Sequence, residues 1–334
     1  MATIQDVARS AGVSTATVSR VLSTPELVAE PTRLRVMTAV NALGYAPNMA
    51  AKMLRTLRTE KILVTVPDIS NPFFSQVIRG VEQAAQDAGY SVLLGDTRHE
   101  PEREERYGEM LRRKEADGLI FLGHRLPDSL TDMMQAQGPR APIVNGCEFS
   151  PDLAVSSAHI DNERAAAEAM EHLYGLGHSR IGVITGPLAS PISRDRLAGV
   201  HTAADARGQD AGLRIATGDF SIESGVRESL ALLDGDPSLT ALFCFSDEMA
   251  MGALDALRQK GLRCPQDVSL VGFDDIRFAK HLNPALTTVA QPMEQLGQEA
   301  VRLLLEIFAG RSQDFQQVTL PHRLVVRDST ARAP

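Results

Sequence analysis

From Ile62 onward the chain alternates short apolar runs with longer amphipathic stretches, and this alternation restricts its fold more than any other feature of its sequence. KILVTVPD (61–68), SVLLGD (91–96), GLIFLG (118–123) and APIVNG (141–146) form a first series, separated by helical stretches that begin near Phe73, Pro101 and Pro127. After HIDN (159–162) the pattern restarts with RIGVITG (180–186), ALFCFSD (241–247) and DVSLVGFDD (267–275). Apolar runs this short read as strands buried on both faces, and strands alternating with helices build βαβ units around parallel sheets. Two series of similar length predict two α/β lobes that share a crevice.

The first fifty residues follow a different period. Thr3 can cap a helix in which Ile4, Val7, Ala8 and Ala11 recur at helical spacing, and Gly12 stops it. Ser14 caps a second helix whose Val18, Val21 and Leu22 share one face, leaving Thr15, Ala16, Ser19 and Arg20 on the opposite arc. A third helix follows Pro31, with Val36, Ala39, Val40 and Leu43 as its apolar stripe and Gly44 as its end. Two helices joined by a short glycine turn, with a third in support, make a helix-turn-helix bundle.

Charge separates the same two regions. The chain carries a formal net charge of −8, which on average speaks against a polyanion-binding protein. Residues 1–61, however, hold eight basic and four acidic side chains, a net of +4, and the remainder holds −12. A small basic head on a large acidic body fits a nucleic-acid-binding module joined to a domain with another task. A chance fluctuation over sixty residues is the plain alternative.

Other classes are disfavoured by what the sequence lacks. No run approaches the roughly 20 apolar residues that span a bilayer, and MATIQDVARS lacks the order of a secretory signal, so a cytoplasmic protein without a membrane is expected. Cys147, Cys244 and Cys264 are odd in number and far apart, which fits buried apolar thiols better than disulfides or a zinc site. There is no GxSxG elbow, phosphate-binding GxxxxGK loop, HExxH pair or complete GxGxxG; Gly175-Leu176-Gly177 precedes a strand where a dinucleotide site must follow one. The run from His99 to Glu105 reads as a solvated helix face rather than a metal site. No catalytic residue, cofactor or metal is therefore expected.

Ligands of open α/β sheets bind outside the carboxyl ends of the strands. Polar and aromatic residues stand at several such ends: Asp68, Asn71, Phe73 and Phe74 after the first run, Asp247 after ALFCFS, and Asp274 and Asp275 after DVSLVGF. Arg194 and Arg196 sit early in the helix after RIGVITG, and Phe220 lies in the loop GDFS. Carboxylates accept paired hydrogen bonds from vicinal hydroxyls, a guanidinium donates a rigid fork, and aromatic faces cover a ring. Together they describe a sugar-like site, although each aspartate taken singly could be a helix N-cap.

The head ATIQDVARSAGVSTATVSRVL, the third helix with ALGYAPN, and the joining NMAAKMLR resemble the DNA-binding half of the LacI/GalR repressor family. VPDISNPFFSQVIRGVEQAA, GLIFLG, HIDN, GHSRIGVITG, RLAGV, FSDEMAMGAL, DVSLVGFDD and PALTTVAQP follow in the family's order, so the resemblance spans essentially the whole chain. LVTVPDISNPFFSQVIRGVE, GHRLP and VGFDDI look most like the cytidine-repressor and ribose-repressor branches.

The resemblance implies an N-terminal all-α helix-turn-helix domain (1–47), a hinge helix and linker (48–60), and a two-lobe α/β effector and dimerisation domain like a type I periplasmic binding protein (61–334). Its lobes would be about 61–160 with 291–320, and 161–290 with 321–334. It implies a homodimeric repressor of operator DNA answering to a nucleoside or pentose. Thr15, Ala16 and Arg20 would face base edges, while Ser14, Thr17 and Ser19 would approach phosphates. Leu54 would be a minor-groove wedge beside Arg55, and Thr3 and Asn48 would complete the DNA-facing set. Phe73, Arg196, Phe220, Asp247 and Asp274 match the effector pocket, with Asn71, Phe74, Arg125 and Gln291 around them. The hinge Asn48–Arg55 is too short to be helical alone, so pairing on DNA would fold it. Ser23 stands where the family commonly has asparagine, and no leucine-heptad tail follows the body. A solute-binding protein of a transporter would suit the same body, but the basic head and the N-terminus speak against it.

Overall fold

The computed structural model describes residues 2–46, 58–150 and 153–334. Two compact units divide the chain between Thr59 and Glu60. In the first, α1 (Ile4–Ala11), α2 (Thr15–Ser23) and α3 (Glu30–Leu43) enclose a core of Val7, Ala8, Ala11, Val18, Val21, Val36, Ala39 and Val40. Both ends of α1 are fixed as its sequence dictates. Thr3 and Asp6 form a reciprocal capping box, and Gly12 closes the helix at φ 64°, a conformation that glycine adopts at little cost. Ser14 caps α2 by accepting from the Thr17 amide at 3.2 Å. One expectation for this unit fails: Leu43, placed on the buried stripe of α3, is exposed, because it occupies the last turn, where Gly44 already turns the chain away.

The second unit begins with β1 (Lys61–Val66), α4 (Pro72–Asp87), β2 (Ser91–Asp96), α5 (Pro101–Arg112), β3 (Gly118–Phe121), α6 (Thr131–Gln137), β4 (Ile143–Gly146) and β5 (Ser156–Ile160). It continues through α7 (Asn162–Gly175), β6 (Ile181–Thr185), α8 (Pro191–Asp205), β7 (Leu213–Thr217), α9 (Ile222–Gly235), β8 (Ala241–Cys244), α10 (Asp247–Gln259), β9 (Ser269–Asp274) and β10 (Thr287–Ala290). The chain closes with α11 (Met293–Phe308), β11 (Gln317–Leu320) and β12 (Arg323–Val325). The first sheet runs β11-β5-β4-β3-β1-β2 and the second β12-β10-β9-β8-β6-β7. Every strand pair is parallel except β10 with β12. The fold class expected from the sequence, a helix-turn-helix head and a two-sheet α/β body, is the one observed.

The chain leaves the first sheet after β5, returns after β10 to place α11 and β11 against it, and leaves again for β12. In each sheet the order reverses beside one strand: β1 pairs with both β2 and β3, and β6 with both β7 and β8. Loops leaving these neighbouring strands diverge to opposite faces and open a crevice between them. The strands beside the crevices are mostly apolar, Ile62, Val64, Val66, Ile181, Val183 and Ile184 being fully buried, so the sheets form a firm floor for the loops above. Among the described residues no helix is long and apolar enough to cross a membrane.

Candidate functional site

At the carboxyl ends of both sheets the loops of the second unit surround a cavity of about 780 Å³. Such a volume lies in the range of small-molecule sites. Asn71, Phe73, Phe74, Arg196, Phe220, Asp274 and Gln291 line it, as the sequence predicts.

Asn71 caps α4, its Oδ1 accepting from the Phe73 amide at 2.9 Å, and this sets the first turn that presents Phe73 and Phe74. Their rings meet edge to face, with centroids 5.2 Å apart. Phe220 comes from the other side on a left-handed backbone at φ 70°. Its ring covers Gly186, where a side chain would lie 2.0 Å from it, so only glycine at the end of β6 lets the ring lie flat.

Arg196 stands in the first part of α8 and is buried. Its Nε donates to Asn162 Oδ1 at 2.9 Å, a second nitrogen donates to the Phe245 carbonyl, and the guanidinium lies 3.6 Å from the Phe273 ring centroid. Burial lowers its pKa to about 10, against the opposing pull of Asp274 and Glu148, so it stays cationic at neutral pH. Asp274 ends β9 with φ 116°, its Oδ1 accepting from Gln291 Nε2 at 2.8 Å. Burial raises the Asp274 carboxyl above the usual range, with Arg196 and Gln291 pulling the other way.

Two residues expected in the pocket stand elsewhere. Asp247 is fully buried beneath the cavity: Oδ2 accepts from the Ile276 amide at 2.8 Å and Oδ1 from the Thr288 hydroxyl at 2.6 Å. Its carboxyl is spent on the protein, where it secures the turn after Asp274. Arg125 lies outside the cavity lining and pairs with Glu104 on α5 at 3.5 Å, because the chain after β3 turns toward α5.

Other residues that no motif marks also line the cavity. Glu148 lies two residues beyond β4 and His124 three beyond β3, so the strand-end rule reaches both once it is applied to every strand. Ser190 and Glu248 join them from the second lobe. His99, grouped by its neighbours with the charged face of α5, belongs to the preceding loop at φ 56° and lines the cavity. Cys147 lines it too, although the thiol is otherwise buried. Asp68, Glu148, Asp219, Glu223, Glu248 and Asp274 face the space, with Arg196 the sole guanidinium or ammonium group among the described residues, so it favours hydroxyl and amino donors over phosphates. Among the described residues no group of His, Cys, Asp or Glu could hold a metal ion.

In the first unit, Ser14, Thr15, Ala16 and Arg20 are exposed, and Thr17 and Ser19 half-buried, around the start and outer arc of α2. The Ser14 hydroxyl also meets the Thr17 hydroxyl at 2.9 Å, and Thr3 is occupied in the capping box of α1. The Arg20 guanidinium has no hydrogen bond or ion pair within the described residues. Asn48, Leu54 and Arg55 lie outside the described residues.

A helix-turn-helix unit followed by a two-sheet unit with a polar cavity defines a class, the ligand-responsive DNA-binding regulators. Residues 3–48 match the model of bacterial regulatory proteins of the lacI family, and residues 170–330 match that of a periplasmic binding protein-like domain. The transcriptional repressor CytR of Escherichia coli strain K12 is 41% identical over 334 residues, covering 100% of this chain and 97% of the relative. The chain belongs to the lacI family. Among solved structures, the lac repressor dimer bound to operator and the anti-inducer ONPF is 31% identical with a TM-score of 0.87, covering 99% of each chain. The regulator CelR in complex with cellobiose is 33% identical with a TM-score of 0.74, covering 98% of this chain and 100% of that one.

Proposed function

We propose that this chain is a homodimeric repressor of operator DNA, acting in the cytoplasm, whose affinity for the operator is set by a nucleoside or pentose held in the cavity of its second unit. The observation that carries the ligand class is the arrangement of Arg196, Asp274 and Gln291 at one side of a cavity that also holds three phenylalanine rings. A buried guanidinium beside a carboxyl group is suited to vicinal hydroxyls, and phenylalanine faces are suited to a flat ring. The volume exceeds what a lone pentose fills, which favours a nucleoside such as cytidine or adenosine. Free ribose is the second reading, supported by the same hydroxyl-gripping cluster and requiring one or two of the phenylalanines to be structural. The carboxyl-rich lining disfavours nucleotides.

The DNA reading rests on the exposed arc of α2. Ser14, Thr17 and Ser19 stand near phosphates in this reading, and Thr15, Ala16 and Arg20 face base edges; Thr3, Asn48, Leu54 and Arg55 extend the contact. An effector that binds the operator-competent state more weakly than the alternative lowers operator affinity by that ratio, and induction is the sign we propose. The chain would then be a regulator without catalysis or cofactor.

Calorimetry of the full chain with cytidine, adenosine, ribose and glucose tests the ligand class, with operator retention measured beside it. We expect a nucleoside to bind more tightly than ribose, and Arg196→Ala to remove the effector's influence on operator release. A preference for glucose would overturn both readings, and ribose binding far above every nucleoside would select the second.

A further inference from the structure

Glu148 is a polar residue of the cavity that stands apart from the Arg196, Asp274 and Gln291 cluster. It reaches the space from the loop after β4, on the side of Phe73, Phe74 and His124, which follow β1 and β3 of the same sheet. Arg196, Asp274 and Gln291 come instead from the loops and helix that follow β6, β9 and β10 of the other sheet. A ligand gripped by those three through its hydroxyls meets Glu148 with another part of itself, and a second polar group there would be satisfied by it. The side chain is also under-used by the protein. Its Oε2 accepts only a long bond from Ser190 Oγ at 3.4 Å and stands 3.9 Å from His124 Nδ1, while Oε1 has no hydrogen bond within the described residues. A carboxyl group so buried and so poorly satisfied is costly unless something completes it.

We propose that Glu148 is the specificity-determining residue for the heterocyclic base, pairing through both oxygens with an unprotonated ring nitrogen and the exocyclic amino group beside it, as a cytosine- or adenine-type edge presents. The assignment rests on the nucleoside reading and deepens it. Burial pushes the Glu148 carboxyl up to about 8, against the pull of Arg196, Ser190 and Arg194. At neutral pH it therefore keeps its proton and offers one O–H donor and one C=O acceptor. That pair complements a ring nitrogen next to an amino group. An ionised carboxylate would turn a lone pair toward the ring nitrogen and bind such an edge poorly. Phe73 and Phe74, from the same side of the cavity, offer the base a surface to lie on.

Titration calorimetry on the full chain tests this with wild type, Glu148→Gln and Glu148→Ala against cytidine, 3-deazacytidine and ribose. Glutamine keeps one donor and one acceptor at the same reach, so the ratio of cytidine to ribose affinity should stay within about threefold of wild type. Alanine should lower that ratio by about tenfold or more, the cost of leaving buried polar groups of the ligand unpaired. In the unaltered protein 3-deazacytidine, which keeps the amino group but has carbon in place of the ring nitrogen, should bind about tenfold more weakly than cytidine. This arm is independent of how any variant folds. Equal loss in the Gln and Ala variants would show that charge, not a donor–acceptor pair, is what Glu148 supplies, and would overturn the assignment. Unchanged cytidine preference in Glu148→Ala, or equal binding of cytidine and its 3-deaza analogue, would overturn it while leaving the nucleoside reading standing. Ribose binding as tightly as cytidine to wild type would overturn both.

Discussion

Asp247 shows how one carboxyl group can serve a site without facing it. It holds the Ile276 amide and the Thr288 hydroxyl beneath a turn in which Asp274 and Asp275 both have positive φ, at 116° and 58°. Non-glycine residues keep such conformations only when their surroundings hold them there. Removing the carboxyl leaves two buried donors unmet, so Asp247→Ala should cost about 1–3 kcal/mol for each, and effector affinity should fall as Asp274 loses its setting. Urea unfolding monitored beside effector titration checks this, and undiminished stability would return Asp247 to the role of a ligand contact. The sequence places Asp247 and Asp274 alike after strands, and only their hydrogen-bond partners in the fold separate the buttress from the residue that lines the cavity. Glu148 raises a question of protons instead. Burial is the first cause of its displacement to about 8, and Glu248 is pushed in the same direction, to about 7. Both folded-state values lie above the ordinary carboxyl range, so the folded chain holds more protons than the unfolded chain across that interval. Stability should accordingly fall as pH rises from about 5 to 8. Arg194, Arg196 and Asp195 on α8, with His124 beside it at 3.9 Å, share the field at Glu148 and set where in that window the loss is steepest. Melting temperatures taken across the range should decline in wild type and decline less in Glu148→Gln; parallel curves would remove Glu148 from the account. In the first unit, Arg20→Ala should weaken operator binding by roughly 1–3 kcal/mol and random DNA little. Gel-shift titration on both DNAs separates base reading from a phosphate contact, which would weaken both equally.

At the scale of elements, the sequence was most legible where a segment is buried on both faces or closed by a local device. β1, β3, β4, β6, β8 and β9 are wholly or almost wholly buried, and each appears as an apolar run. Of the edge strands, β7, β11 and β12 are half-exposed over only three to five residues and no run marks them, whereas β2, six residues long, still shows as SVLLGD. The helical stretch placed near Pro127 begins instead as a single tight turn, Asp128–Leu130, which Glu105 holds through the amides of Asp128 and Ser129 before α6 starts. That contact crosses from α5, and a sequence shows no contact between distant helices. Caps were read correctly because their chemistry is local: Thr3, Gly12 and Ser14 each act on residues within a few positions. Since Ser14 satisfies the Thr17 amide at the start of α2, Ser14→Ala should destabilise the first unit by about 1 kcal/mol. Circular dichroism melts of residues 1–59 compared with the same segment carrying the substitution would measure it, and an unchanged transition would mean that water caps the helix as well as serine does.

Across the whole molecule the governing fact is that charge is divided, with +4 in residues 1–61 and −12 in the remainder. A protein with a uniform charge of −8 would be repelled by DNA at every approach. With the division, attraction to phosphates belongs to the head alone, and the acidic body resists lying along the duplex. Two heads in the proposed dimer would double the attraction without changing its origin. Each phosphate neutralised by a lysine or arginine releases condensed counterions, so the logarithm of the binding constant should fall linearly with the logarithm of salt concentration, with a slope of about −0.9 for each phosphate contacted. For six to ten contacts this is a loss of about 10³–10⁵ between 50 and 200 mM salt. The same steep dependence should hold on random DNA, because phosphates there are the same. Arg20→Ala should therefore lower affinity for the operator at every salt concentration while leaving its slope nearly intact, since a base contact displaces no phosphate counterion. Filter-binding titrations of wild type and Arg20→Ala over that salt range decide the matter. A slope near zero would show that the basic head does not neutralise phosphates, and a slope shallower by about one in the variant would reassign Arg20 to the DNA backbone.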